Sequence, residues 1–265
     1  EERTLVIASS FSGDTEETVS AFGQALATRA KTLVIAAGGR LLTLARANGV
    51  PAFAYSFRGE PRAAIGWSLM PLIATGEKLG LTQGAARDVE EAILVLEAAR
   101  DELGEELPAA RNPAKQAAGR LHEKLPVIYG AGPLVEVAHR WKTQLNESAK
   151  VWAFYEDLPE IHHNAIIGYE LPRSVARGTA VVFLDSPDLV HRRVQLRYQF
   201  TQKLLREAGV EHFVVDSRGR SALAQMLYLT LYGDYVSAYL ALLYGVDPTP
   251  TTVIDELKAW LAEQD

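Results

Sequence analysis

The sequence predicts an α/β protein built from doubly wound parallel sheets, arranged as two similar halves. Three observations carry this. Short apolar runs rich in β-branched residues alternate with helical stretches. The first run breaks into a loop of small hydroxylated residues, and the same strand–loop–helix theme returns in the second half. Continuous rather than alternating apolar strands mean a sheet covered on both faces.

In the first half, Thr4–Ser9, Thr32–Ala36 and Pro51–Tyr55 read as strands. Helical stretches near Thr15–Arg29 and Arg40–Asn48 separate them, and another helix runs from Arg62 to Lys78. Residues 86–107 are charged and helical, and Pro108, Asn112 and Pro113 then punctuate the chain. This gives a first domain at 1–80, a helical linker at 81–111 and a second domain at 112–265. In the second domain, strands are expected at Leu125–Tyr129, Val151–Tyr155, Thr179–Leu184 and His212–Val215. Helices are expected at Leu134–Asn146, Leu189–Ala208, Ser221–Tyr244 and Thr251–Glu263. The Ser221–Tyr244 stretch is apolar enough to imitate a membrane helix, but Asp234 and other polar interruptions mark it as a core helix. Two such halves facing one another would gather their strand C-terminal loops around a shared cleft.

Composition narrows the function. The 265 residues carry a net charge of −6, which argues against nucleic-acid or membrane partners, whose binding calls for a basic surface. There is no cysteine, so disulfides, thiolate nucleophiles and cysteine-held metal are excluded, and the chain suits the cytoplasm. A phosphate-loop lysine motif is missing, so nucleotide hydrolysis is not expected. His162 and His163 are adjacent and point apart, with no third ligand at metal spacing. Neither a metal nor another cofactor is expected.

The most informative stretch is Thr4-Leu5-Val6-Ile7-Ala8-Ser9-Ser10-Phe11-Ser12-Gly13-Asp14-Thr15-Glu16-Glu17-Thr18. A buried strand ends here in a tight turn at Gly13, and Asp14 or Thr15 can cap the helix that follows. Outward N–H groups, the positive end of the helix dipole and the hydroxyls of Ser10, Ser12 and Thr15 together make an anion cradle. A phosphate ester fits it; the plainer reading is an ordinary helix cap after a strand.

This string closely resembles the phosphate loop of sugar isomerase (SIS) domains, and more narrowly that of the bifunctional phosphoglucose/phosphomannose isomerase branch. Further matches are Gly38-Gly39-Arg40-Leu41, Pro61-Arg62-Ala63-Ala64 and Ile128-Tyr129-Gly130-Ala131-Gly132. The block Arg140-Trp141-Lys142-Thr143-Gln144-Leu145-Asn146-Glu147-Ser148-Ala149-Lys150 is the most specific of them. Leu158-Pro159-Glu160 with His163-Asn164, and Gly245-Val246-Asp247-Pro248-Thr249-Pro250, complete the series in the same order. The resemblance implies two SIS-type, flavodoxin-like, three-layer αβα subdomains. It also implies a preceding helix, strand and glycine loop of about 60 residues, so the first subdomain reads as N-terminally incomplete.

For function, the resemblance implies a metal-independent aldose–ketose isomerase that converts glucose 6-phosphate, and mannose 6-phosphate, to fructose 6-phosphate through a cis-enediol. A carboxylate in a partly dry pocket suits the C2-to-C1 proton transfer, and Glu147 matches the family's base. His163, sixteen positions later, matches the ring-opening histidine, which the family supplies across a homodimer interface. His162 and Ala165 depart from the family's Asn and Glu at those places, which bears on how His163 is oriented. Arg62, with Arg58 as its rival, would stabilise the enediolate oxygen. Lys258 would reach a sugar hydroxyl or the ring oxygen, and Thr251 or Thr249 the C2 region. The competing function is a non-catalytic sugar-phosphate sensor, which has no need of the Glu147/His163 pair.

Overall fold

The computed structural model describes residues 3–264 and divides the chain into two compact units, the first ending at Ala85 and the second starting at Ala86. Each unit builds its own parallel sheet.

The first unit runs β1 (Leu5–Ser10), α1 (Glu16–Leu26), β2 (Lys31–Ala36), α2 (Gly39–Ala47) and β3 (Ala52–Ala54), then a 3-10 turn at Pro61–Ala64 and α3 (Ile65–Lys78). Strand order is β1-β2-β3, with Ser10 opposite Ala36 and Ala36 opposite Ala54. The strands therefore end level, and their exit loops emerge side by side. Both crossovers step the same way, and right-handed connections then lay α1 and α2 on one face. There Phe22, Leu41 and Ala45 bury Ala8, Val34 and Ala36. Leu33 and Ile35 alternate to the other face, where α3 touches β2.

The second unit opens one residue into α4 (Ala85–Leu103) and continues with α5 (Pro113–Leu121), β4 (Leu125–Ala131), α6 (Leu134–Glu147) and β5 (Phe154–Leu158). After 3-10 turns at Glu160–His163 and Ala165–Ile167 come α7 (Arg173–Gly178), β6 (Thr179–Asp185), α8 (Arg192–Glu207), β7 (Glu211–Asp216), α9 (Ala222–Leu243) and α10 (Thr252–Ala262). Strand order is β5-β4-β6-β7. The chain steps outward from β4 to β5, returns past β4 to β6 and continues to β7. That reversal puts α6 on one face and α7 and α8 on the other, which is the doubly wound arrangement. Among the described residues α9 alone is long and apolar enough to cross a membrane, and here it packs against α5 and α6.

Three of the differences from the sequence expectation have a local reason. The strand expected at Val151–Tyr155 lies at Phe154–Leu158, because residues 148–151 are used to close α6: Ser148 N–H donates to Gln144 O (2.8 Å) and Val151 N–H to Leu145 O (3.1 Å). The Pro108–Pro113 punctuation hides α5, which Asn112 caps by accepting from Lys115 N–H (3.0 Å) and which Pro113 begins. The charged helix α4 packs into the core of the second unit through Ala99 and Leu103, and Tyr239 Oη donates to Leu103 O (2.6 Å).

The seating of α6 on α9 is close. Trp141 is 1% exposed and its indole N–H donates to Leu229 O (2.7 Å). A Cβ on Gly233 would lie 2.4 Å from that indole nitrogen. Alanine in a helix is worth about 0.5–1 kcal/mol over glycine, whereas forcing a methyl into a packed core costs about 1–3 kcal/mol. Gly233→Ala is therefore expected to lower the melting temperature by several degrees, roughly 2–4 °C per kcal/mol for a chain of this size. An unchanged thermal unfolding curve would contradict this packing.

Candidate active site

The loop expected to form the anion cradle lies in the first unit. Ser10, buried at the end of β1, accepts from Gly13 N–H (3.1 Å), and its hydroxyl lies 2.8 Å from that of Thr15. Ser12 accepts from Asp14 N–H (3.2 Å). All three hydroxyls thus line one loop. Gly13 has φ +76°, and a Cβ there would lie 1.9 Å from Gly38 O, so this loop rests backbone to backbone on the loop that starts α2.

The capping differs from expectation. Neither Asp14 nor Thr15 caps α1: Thr15 turns toward Ser10, and Asp14 Oδ1 instead accepts from Arg40 N–H (2.8 Å) at the start of α2. The reason is that α2 begins at Gly38-Gly39, which has no side chain to cap with. Asp14 supplies that cap across the loops and leaves the first turn of α1 without a side-chain cap. Uncapped N–H groups at the positive end of a helix are what an anion needs.

Arg62 sits in the Pro61–Ala64 turn with its side chain only 10% exposed, 3.4 Å from Glu60 Oε2, while its rival Arg58 is exposed. Aromatic rings flank the cradle. Phe11 approaches Tyr55 and Phe57, each with centroids 6.3 Å away, and Tyr55 stacks on Trp67 at 5.8 Å. Burial pushes the Tyr55 phenol up. This wall escapes a reading of the sequence because its members are spread over two loops and a helix.

The second unit holds the predicted base. Glu147 is the last residue of α6 and lines a cavity of about 360 Å³. The opposite wall is the Pro250–Ile254 segment, so Thr251 shares the cavity with Glu147. Thr249 is not in that wall; its N–H donates to Asp247 Oδ1 (2.8 Å). Lys258, on α10, does not line the cavity; its side chain is 72% exposed, 3.9 Å from Asp255.

The two adjacent histidines do different things. His162 bonds to Thr201 Oγ1 (2.9 Å) and Pro159 O (3.2 Å), and burial pushes its pKa down. It anchors the short turn that presents His163 at the surface. The next residue, Asn164, donates to Glu160 Oε1 (3.3 Å). Among the described residues, no three His, Asp or Glu converge as a metal site.

Two side chains that matter were undervalued in the sequence. Asp234 looked like a polar interruption of an apolar helix, yet it accepts from Arg140 Nη2 (3.0 Å) and Gln144 Nε2 (2.7 Å). Lys150 looked like the end of a motif, yet its ammonium donates to carbonyls at both ends of the Glu147 cavity.

Known proteins resemble this chain over most of its length. Residues 110–261, more than half of the chain, match the family model described as the bacterial phospho-glucose isomerase C-terminal SIS domain. A protein from Caldicellulosiruptor bescii named bifunctional phosphoglucose/phosphomannose isomerase is 42% identical over 98% of this chain and 77% of its own length. A protein of the same name from Aquifex aeolicus is 35% identical over 96% of this chain and 75% of its own. The crystal structure of a glucose-6-phosphate isomerase like protein from Thermus thermophilus shares the fold, with a TM-score of 0.68 at 22% identity over 97% of this chain and 78% of that one. The chain belongs to the bifunctional phosphoglucose/phosphomannose isomerase family.

Proposed function

We propose that this protein is an aldose–ketose isomerase that converts glucose 6-phosphate, and mannose 6-phosphate, to fructose 6-phosphate through a cis-enediol without a metal. The observation that carries the reading is the placement of Glu147: a carboxylate at the end of a locked helix, on the wall of a cavity it shares with Thr251. The named relatives support the substrate class.

Each part of the site takes one task. Ser10, Ser12, Thr15 and the N-terminus of α1 hold the 6-phosphate. Glu147 takes the C2 proton and returns it to C1 on the same face. The Arg62 guanidinium stabilises the enediolate oxygen, where charge develops. His163 opens the sugar ring; its exposure suits delivery to a second subunit's site in a homodimer. Thr251 contacts the C2 region, where the two aldoses differ, and Lys258 the ring oxygen. The setting is cytoplasmic, at a step common to glycolysis and gluconeogenesis.

Ser10→Ala removes both a phosphate donor and the hydroxyl that orients Thr15. A hydrogen bond to a charged group is worth about 1.5–3 kcal/mol, so KM for the hexose 6-phosphate should rise roughly ten- to a hundredfold with kcat little changed. An unchanged KM would remove the phosphate from this loop.

Glu147→Gln keeps the side chain's shape and removes its basicity. Turnover should fall by about 10²–10⁴, while a phosphorylated sugar acid still binds. Mixing these subunits with His163→Ala subunits should restore part of the activity if the site spans a homodimer. Full turnover in the Gln variant would end the mechanism. A wild-type protein that binds sugar phosphate and does not isomerise it would make this chain a sensor.

A further inference from the structure

The turn that follows α6 has an unusual occupant. Lys150 has φ +60°, the left-handed conformation that closes many helices and that glycine adopts most easily. An L side chain there costs about 1–2 kcal/mol. The closure itself needs only backbone: Ser148 N–H donates to Gln144 O and Val151 N–H to Leu145 O. Glycine would serve that closure better, so the lysine side chain calls for its own explanation.

Its contacts provide one. The Lys150 ammonium donates to Glu147 O, to Pro250 O (2.7 Å) and, more weakly, to Pro248 O (3.5 Å). The first acceptor is one of the α6 carbonyls that no helical N–H can reach, and a cation at that end also suits the helix dipole. The others belong to a turn stiffened by two prolines and by the Asp247–Thr249 bond. This turn leads directly into Thr251, and α6 ends in Glu147, so the ammonium joins the two walls of the cavity.

We propose that Lys150, which lines the same cavity, is a positioning residue that fixes the separation between Glu147 and Thr251. The inference rests on Glu147 being the base. A ligand atom held between the two walls is aligned for proton transfer only if they keep one spacing, and a misplacement of about 1 Å can cost about 10²-fold in rate.

The test uses the full chain. Lys150→Gly relieves the left-handed strain and removes the tie, which separates folding from positioning. The melting temperature should hold or rise. Amide exchange in residues 249–254 should quicken, and kcat should fall by about tenfold or more. KM for hexose 6-phosphate should stay within about twofold, because the phosphate is held by the Ser10–Thr15 loop. Lys150→Arg should recover part of kcat. Wild-type kcat in Lys150→Gly, unchanged exchange in 249–254, or a kcat loss matched by a lowered melting temperature would each overturn the proposal. Glu147→Gln measured alongside separates the two failures. If it is inactive and Lys150→Gly is fully active, only the positioning role falls. If it keeps full turnover, both readings fall.

Discussion

The second unit depends on one half-buried polar contact, the seating of α6 on α9 through Asp234. Arg140 and Gln144 both donate to this carboxylate, and Trp141, between them in sequence, sends its N–H to Leu229 O and stacks on Tyr232 at 5.9 Å. Burial raises the pKa of Asp234 while Arg140 pulls it down; the net direction is upward, so desolvation outweighs the pair's attraction. Such a pair adds little net stability. Its contribution is geometric. It sets the rotation of α6, and with it the direction in which Glu147 leaves the last turn. The most specific block of the sequence is therefore mostly architecture: Arg140, Trp141 and Gln144 hold the helix, and Glu147 ends it.

The Ser10–Thr15 loop is arranged in the opposite way. Asp14 goes to α2, Thr15 goes to Ser10, and the first turn of α1 keeps no side-chain cap. The second unit contains a similar loop after β6 that shows the alternative. There Ser186 accepts from Leu189 N–H (3.2 Å), as Ser10 accepts from Gly13 N–H, but His191 caps α8 by accepting from Arg193 N–H (3.2 Å). Ser186 also donates to the buried Gln225. One loop closes its helix with a side chain of its own, and the other leaves its helix without a side-chain cap.

What the sequence made legible follows from the range of the forces involved. The β-branched runs at Val6–Ile7, Leu33–Ile35 and Val181–Val182 show their strands locally, because burial on both faces demands continuous apolar residues. The Ser10–Thr15 loop was legible for the same reason: its chemistry lies within six residues. Asp14 was misread because its partner Arg40 is far along the chain, and no local pattern distinguishes capping α1 from capping α2. The start of β5 was misplaced because a lysine, Lys150, adopts a glycine conformation, and nothing in that residue type signals a helix closure. The choice between Thr249 and Thr251 also needed the fold, since it turns on which one faces Glu147.

The central claim is that a carboxylate moves a proton between adjacent sugar carbons, and the fate of that proton tests it most directly. Glucose 6-phosphate is converted by the protein in D₂O with a chelator present, and the carbon-bound hydrogen is followed by NMR. The account predicts solvent deuterium at C1 of the fructose 6-phosphate and at C2 of recovered glucose 6-phosphate, accumulating with repeated turnover as the proton on Glu147 exchanges with solvent. Complete retention of the original hydrogen after many turnovers, which marks a hydride shift, or loss of activity with the chelator, would contradict it.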